Sequence, residues 1–231
     1  MSIFTSYGII VFAMLILTLL QLSSGVFSLF LHYASGKYSR PKVSRLSIFF
    51  ILGAEAMATC VFLSLYFLVN LIYLADSTTI ISQILLYILA GISVALAIFC
   101  LCFYYRRGKH SELFITRKYA RSLERTASKV KSPSDAFVLG ALSGNCELFL
   151  VAPLYLIIIL ETLRLDNSCP FALLTILISI LPLFLTYWLH QSGQNLANAL
   201  KSRAHAKTFI RIALSVLYLI IAISIILTEV L

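Results

Sequence analysis

The sequence predicts an all-α integral membrane protein with six transmembrane helices. The chain of 231 residues is 61% hydrophobic and only 12% charged, so too few charges remain to cover a water-soluble core. Its apolar residues also gather into six runs of about 20 residues or more, the length that crosses a bilayer as a helix. The runs cover 4–34, 46–74, 80–105, 136–161, 170–190 and 208–228. We therefore expect a single multi-pass domain, 1–231, in the inner or plasma membrane.

Helix boundaries and irregularities are marked by polar residues and prolines. The first run is overlong, and its polar and small residues at 21–25 favour a break, which a membrane helix tolerates only where it faces protein or a cavity. The fourth run opens with 132–135, a serine cap followed by proline and an acid three positions after the cap. Pro153 and Pro182 lie inside the fourth and fifth runs, and each is expected to kink its helix.

The basic residues predict the orientation. Segments 36–45, 106–134 and 191–211 contain seventeen of the eighteen lysines and arginines. The positive-inside rule places these three segments in the cytoplasm and both termini outside. The net charge of +9 is then a signal for orientation and lipid headgroups, and we expect no nucleic-acid partner. Within the second segment, residues 113–130 predict a short amphipathic helix on the inner leaflet, with a solvated linker as the alternative.

Two pairs of matching stretches indicate an internal duplication. Residues 24–31 and 143–150 are identical at five of eight positions, and 86–93 shares Leu-Tyr and Ile-Ser with 217–224. Three spans in each half, 1–105 and 135–231 joined by the basic cytoplasmic loop 106–134, would form a 3+3 inverted repeat. Such repeats hold their substrate site near the bilayer midplane, where the halves meet. A chance match between apolar runs is the alternative.

Polar residues inside the apolar runs are the candidates for function. Glu147 lies near the centre of the fourth run and Glu55 about a third of the way into the second. A charge at such depth is costly unless paired or hydrated, and it typically marks an ion or proton path. A neutral carboxyl that only joins helices is the alternative. Asn145 is a candidate for orienting a ligand, and Cys146 is the candidate thiol. We expect no cofactor, and the five cysteines show no zinc-ligand spacing, so no metal site is expected.

The combination of Gly144, Cys146 and Pro153 on a fourth span resembles the lysine-exporter (LysE) superfamily of six-span transporters. Relatives of that superfamily include the DsbD-type and CcdA-type transmembrane thiol-disulfide carriers, which use one cysteine in the first span and one in the fourth, each commonly preceded by proline. Here Asn145 precedes Cys146, and the matching residue of the first half is Phe27. The resemblance implies a small transporter and leaves dithiol chemistry as an alternative.

The sequence thus supports three hypotheses, none of them an enzyme. The first is a small secondary transporter or exporter working by alternating access, with Glu147 and Glu55 binding a proton or cation and Asn145 orienting the ligand. It requires a cavity between the halves beside Glu147. The second is a membrane thiol-redox carrier or assembly factor, which requires a sulfur close to Cys146. The third is a structural membrane subunit. Expected partners are the lipid bilayer and a small solute or cation, and a homo-oligomer is compatible with the sequence.

Overall fold

The computed structural model describes residues 3–23, 25–75, 79–103, 117–144, 148–165, 168–191 and 196–230. Over these ranges the chain forms nine α-helices and no strand, which confirms the predicted all-α class. The first apolar run forms α1 (Ile3–Ser23) and α2 (Gly25–Lys37), and the next two form α3 (Arg40–Ala75) and α4 (Thr79–Phe103). The basic segment contains α5 (Arg117–Lys129). The remaining runs form α6 (Pro133–Gly144), α7 (Leu148–Arg164), α8 (Ser168–Gln191) and α9 (Leu196–Val230).

Two of the described helices are long and apolar enough to cross a membrane, through their stretches Arg40–Ile72 and Gln83–Cys102. If α6 and α7, whose axes differ by 73°, together form one broken span, the described residues contain a third segment of sufficient length. Shorter apolar stretches follow in the other three long helices: Thr5–Leu20, Leu174–Trp188 and Arg211–Leu227. Many large apolar side chains on these helices are exposed, which fits lipid as the surrounding solvent.

The buried apolar side chains of the described residues form two clusters. The larger cluster joins α1, α4, α7 and α9 with the second half of α3. The smaller cluster joins α2, α5 and α6 with the first half of α3, around the rings of Phe27, Phe30 and Phe50. Helix α3 leaves the smaller cluster at Ala54 and enters the larger one at Phe62. The helix therefore crosses a seam between two separately packed bodies.

Helices α3 and α6 run parallel and touch through glycine. A Cβ atom at Gly140 would collide with the backbone carbonyl of Phe50, and one at Gly53 would collide with that of Phe137. Only glycine allows such an approach, and close contact through small residues is a main source of helix association in membranes. Farther along the pair, a Cβ at Gly144 would lie 3.5 Å from the Met57 side chain. The end of α6 is therefore held against the middle of α3.

Side-chain hydrogen bonds gather several helix ends at one end of the molecule. The Tyr38 hydroxyl donates to the carbonyl of Val130 at 2.8 Å, which joins the α2–α3 turn to the α5–α6 connection. The hydroxyls of Ser44 and Tyr187 are 2.6 Å apart, which joins the start of α3 to the end of α8, and Gln191 donates to Tyr187 at 2.7 Å. Residues from each of the three basic segments thus lie at the same end of the molecule.

Helix α5 differs from the expectation that it would lie on the inner leaflet. The helix itself forms, but Leu123, Ala127 and the following Val130 are buried in the smaller cluster. Helices α2 and α6 cover this apolar face, so it is not available to lipid. The charged face, with Arg125 and Lys129, is the exposed one. Over Arg117–Lys129 the segment is therefore a helix packed against the bundle, and residues 113–116 of the expected range lie outside the described residues.

The matched residues of the two halves do not occupy equivalent environments. In the match between α4 and α9, Tyr87 is 45% exposed whereas Tyr218 is fully buried. In the match between α2 and α7, Phe30 is 1% exposed whereas Phe149 is 71% exposed. Neighbouring positions on a helix differ by about 100° in direction, so a register error of one residue suffices to produce such differences. Residue identity at these positions therefore does not support the repeat.

The start of α6 forms as the sequence predicts. The backbone N–H of Asp135 donates to the Ser132 hydroxyl at 3.2 Å, and the Asp135 carboxylate accepts the N–H of Ser132 at 3.0 Å and that of Lys131 at 3.1 Å. This reciprocal arrangement satisfies backbone donors that a helix start otherwise leaves without an intrahelical partner.

Candidate functional site

A cavity of about 40 Å³ lies at the seam between the two clusters. That volume has room for about three water molecules. The cavity is lined by residues of four helices, α3, α6, α7 and α8. Its lining residues are Ala54, Met57, Ala58, Val61, Ser143, Gly144, Leu148, Val151, Tyr155 and Leu183.

The end of α6 and the start of α7 both border this cavity. Gly144, the last residue of α6, and Leu148, the first of α7, both line it. A helix end and a helix start each leave backbone groups without intrahelical partners, and inside a bilayer such groups are tolerated only against protein or a water-filled space. A cavity beside a broken membrane helix is therefore the expected combination.

Glu55 lies beside the cavity and contacts the other half of the molecule. Both of its carboxyl oxygens are 2.9 Å from the hydroxyl of Ser179 on α8. The same hydroxyl is 2.8 Å from the carbonyl of Ile176, one turn back on its own helix. Ser179 is buried and Glu55 is half-buried. Leu183, which lines the cavity, follows Ser179 by four residues, a rise of about 6 Å on the same helix face.

A phenol completes the polar side of the site. Tyr155 lines the cavity, is almost fully buried, and packs edge-on against Phe62 with ring centroids 5.3 Å apart. It also lies within electrostatic reach of the Glu55 carboxyl. A carboxyl, a hydroxyl and a phenol from three helices can bind a proton or a small cation. Among the described residues, no group of three or more His, Cys, Asp or Glu side chains could hold a metal ion.

The sequence-predicted site residues are only partly described. Glu55 lies at the site, whereas Asn145, Cys146 and Glu147 lie outside the described residues, in the segment that connects two cavity-lining positions. Pro153 and Pro182 lie within the uninterrupted helices α7 and α8, close in sequence to the cavity-lining Val151 and Leu183. The axes of α6 and α7 differ by 73°, and Pro153 lies within α7. Among the described cysteines, Cys60, Cys100 and Cys102 are free thiols.

Sequence reasoning missed a further acidic residue, Glu161. Its side chain is fully buried near the end of α7, and its Oε1 lies 4.0 Å from Nη1 of Arg164, which is 15% exposed. The signal was present in the sequence, because an acid and a base three residues apart face each other on a helix. Ser179 and Tyr155 were missed as well, since nothing in their own segments indicates that they meet Glu55.

Comparisons with protein-family models, curated proteins and solved structures gave no match to this chain.

Proposed function

We propose that this chain is a six-span membrane protein that acts as a small secondary transporter or exporter by alternating access. The observation that carries the proposal is the cavity at the seam, bordered by both halves and flanked by the Glu55–Ser179 pair. Alternating access requires packed bodies that can shift around a fixed site, and two separate hydrophobic clusters with a polar site between them suit such a shift.

The arrangement of helices supports a 3+3 inverted repeat. The six apolar segments are all helical, and the first and fourth are each divided into two helices. The third and sixth segments pair as α4 with α9, and the second and fifth touch as α3 with α8, as two halves related by a two-fold axis would. Described residues of all three basic segments lie at one end of the molecule. We therefore assign that end to the cytoplasm and both termini to the outside.

The Glu55–Ser179 pair can hold a carboxyl in either protonation state. A serine hydroxyl has one hydrogen to donate. When Glu55 is ionised, Ser179 donates to the carboxylate. When Glu55 is protonated, its own O–H donates to the serine oxygen, and the serine hydrogen turns to the carbonyl of Ile176, which lies 2.8 Å away. The hydrogen bond between Glu55 and Ser179 is present in both states with its direction reversed, and the bond to the Ile176 carbonyl forms when Glu55 is protonated. Proton exchange therefore leaves Glu55 and Ser179 bonded to each other.

The remaining roles follow from position. Asn145 and Glu147 stand in sequence between the cavity-lining Gly144 and Leu148, so Glu147 would share the proton or cation and Asn145 would orient the ligand. Pro153 and Pro182 would allow the parts of α7 and α8 beside the cavity to move, because proline removes a helix hydrogen bond. The present volume admits water or a bare cation, so a larger solute would enter only when the clusters move apart.

Proton binding can be tested without knowing the substrate. The full chain in weakly buffered detergent, mixed with a pH-indicator dye and subjected to a pH jump, should release protons from the wild type. Glu55→Gln and Glu147→Gln should each lower the yield, because the amide keeps the size and removes the titration. The matched control is Glu124→Gln, an exposed glutamate on α5 that accepts a hydrogen bond from Tyr33 and does not line the cavity.

Transport itself is measured in vesicles containing the reconstituted chain, with cationic amino acids and monovalent cations as the first probes. The proposal requires a flux driven by a proton gradient that Glu55→Gln abolishes while the variant stays folded. Wild-type proton release and wild-type flux in both glutamine variants would contradict the roles proposed for Glu55 and Glu147. Absence of any flux from the wild type itself would favour the structural-subunit hypothesis.

A further inference from the structure

Exposed basic side chains surround the point where the α2–α3 turn meets the α5–α6 connection. Lys37, Lys42 and Arg45 lie on the first side and Lys131 on the second, and all four are exposed. The hydrogen bond from Tyr38 to the carbonyl of Val130 ties the two sides together at 2.8 Å. We call these four residues with Tyr38 the headgroup surface.

The centre of this surface holds like charges close together. The ammonium nitrogens of Lys42 and Lys37 are 4.1 Å and 5.7 Å from the centroid of the Tyr38 ring. The two nitrogens are thus within about 10 Å of each other, a distance at which like charges still repel at moderate ionic strength. Of the nearby acids, Glu124 accepts a hydrogen bond from Tyr33 at 3.3 Å, and Asp135, which caps α6, offsets part of the charge of Lys131. An anion from outside the chain would relieve the repulsion.

An apolar stripe continues directly from the basic residues along α3. Arg45, Ile48 and Leu52 are spaced as residues of one helix face, and Ile48 and Leu52 are 42% and 48% exposed. A charged end followed by an apolar face matches a phospholipid, whose phosphate precedes its acyl chains. Nucleic acid or an acidic peptide would leave the apolar part of this face uncovered.

We propose that the headgroup surface binds the phosphate of an anionic phospholipid, with an acyl chain along Ile48 and Leu52. The site is independent of the proposed transport, because it lies at the helix ends and shares no residue with the cavity. Tyr38 positions the basic residues of this surface, because its ring contacts Lys42 on α3 and its hydroxyl bonds the carbonyl of Val130, next to Lys131.

The test is the thermal unfolding midpoint of the full chain in detergent, with added phosphatidylglycerol or phosphatidylcholine. Phosphatidylglycerol should raise the midpoint about 3 °C more than phosphatidylcholine. Lys42→Gln combined with Arg45→Gln should remove the difference, whereas Lys201→Gln combined with Lys207→Gln takes two charges from another basic segment and should keep it. Loss of the difference in the control pair instead would overturn the assignment to this surface.

Two further arms use the unmodified chain, so the proposal is testable even where a variant does not fold. Glycerol phosphate, which has the headgroup chemistry and no acyl chain, should give no shift; a shift equal to that of the lipid would overturn the lipid assignment in favour of a free phosphate. Salt at about 1 M, where the screening length falls to about 3 Å, should abolish the difference between the two lipids. A difference that persists at that salt concentration would contradict a phosphate contact.

Discussion

The two hydrophobic clusters are built in different ways. The larger cluster is mostly aliphatic, and the fully buried acid Glu161 directly follows its member Leu160 on α7, with Arg164 three residues farther along the helix. The smaller cluster depends on three phenylalanine rings and on the backbone contact between α3 and α6. Glu55 belongs to neither, and its partner Ser179 offers a hydroxyl instead of a charge. Glu55, whose partner is a neutral hydroxyl, therefore lies where the two clusters meet. Glu161, beside the larger cluster, instead faces the positive charge of Arg164.

The largest expected effect sharpens the contrast between the two acids. Glu161→Ala removes the opposite charge from the largely buried Arg164 guanidinium, and we expect the free energy of unfolding to fall by about 3 kcal/mol. Glu55→Gln, which leaves a hydrogen-bonding group opposite Ser179, should cost less than about 1 kcal/mol. Denaturant unfolding of the purified chain in detergent measures both. The double variant Glu161→Leu with Arg164→Leu should recover most of the loss, and a loss as large as that of Glu161→Ala would contradict the charge argument.

The second prediction concerns the packing of the smaller cluster. Gly140→Ala places a Cβ against the backbone carbonyl of Phe50, which a side-chain rotation cannot relieve, and we expect a cost of about 2 kcal/mol. Gly91→Ala is the matched control, because nothing lies within 4 Å of a Cβ at that position on α4. There the loss of backbone freedom in the unfolded chain should raise stability by up to about 1 kcal/mol. Equal effects of the two alanines on the unfolding midpoint would break the proposed role of the α3–α6 contact.

These packing features mark the limit of what the sequence predicts. Local residue chemistry predicts helices in the six apolar runs, two helices in the first run and the cap at Ser132. The described residues show all three features. The meeting of Glu55 with Ser179 depends on which helices become neighbours, across a separation of 124 residues. Amphipathicity predicts helix α5, yet it does not distinguish lipid from protein as the cover of Leu123.

A third, smaller effect tests how the smaller cluster is anchored. Ser132→Ala removes the hydroxyl that accepts the Asp135 N–H, and loss of such a cap typically costs about 1 kcal/mol. The effect should be confined to α6 and its neighbours, so hydrogen exchange should increase at the start of α6 and remain unchanged in α4. Exchange that increases equally in both helices would show that the clusters are not separate.

The same cap predicts a weak acid dependence. Hydrogen bonds from the Ser132 side chain, and from the backbone N–H groups of Ser132 and Lys131, lower the pKa of Asp135 from its ordinary value of 3.8. An acid with a lowered pKa stabilises the fold fully above its ordinary pKa and loses that contribution as the pH falls through the lowered value. The wild type should therefore lose stability below pH 3.8 more steeply than Asp135→Asn. Parallel pH profiles of the two unfolding midpoints would contradict this.

The smallest effect is expected for Cys146→Ser. A thiol relay requires a thiolate to attack a second sulfur, and the matching residue of the first half is Phe27. We therefore expect unchanged stability within about 0.5 kcal/mol and unchanged proton release. Trapping of a mixed disulfide through Cys146 with a cellular thiol protein, absent from Cys146→Ser, would support the redox hypothesis instead.

The contacts of α9 have a consequence for biosynthesis. The Ser215 hydroxyl donates to the carbonyl of Ala97 on α4 at 2.8 Å, and the Tyr218 hydroxyl donates to that of Leu150 on α7 at 3.0 Å. Helix α9, which is synthesised after the other described helices, is thus the one that joins α4 to α7. Nearly all of the smaller cluster comes from residues 26–139 and can assemble while synthesis continues. Truncated nascent chains that end before α9 should accordingly keep α3 beside α6 and leave α7 open to quality-control proteases.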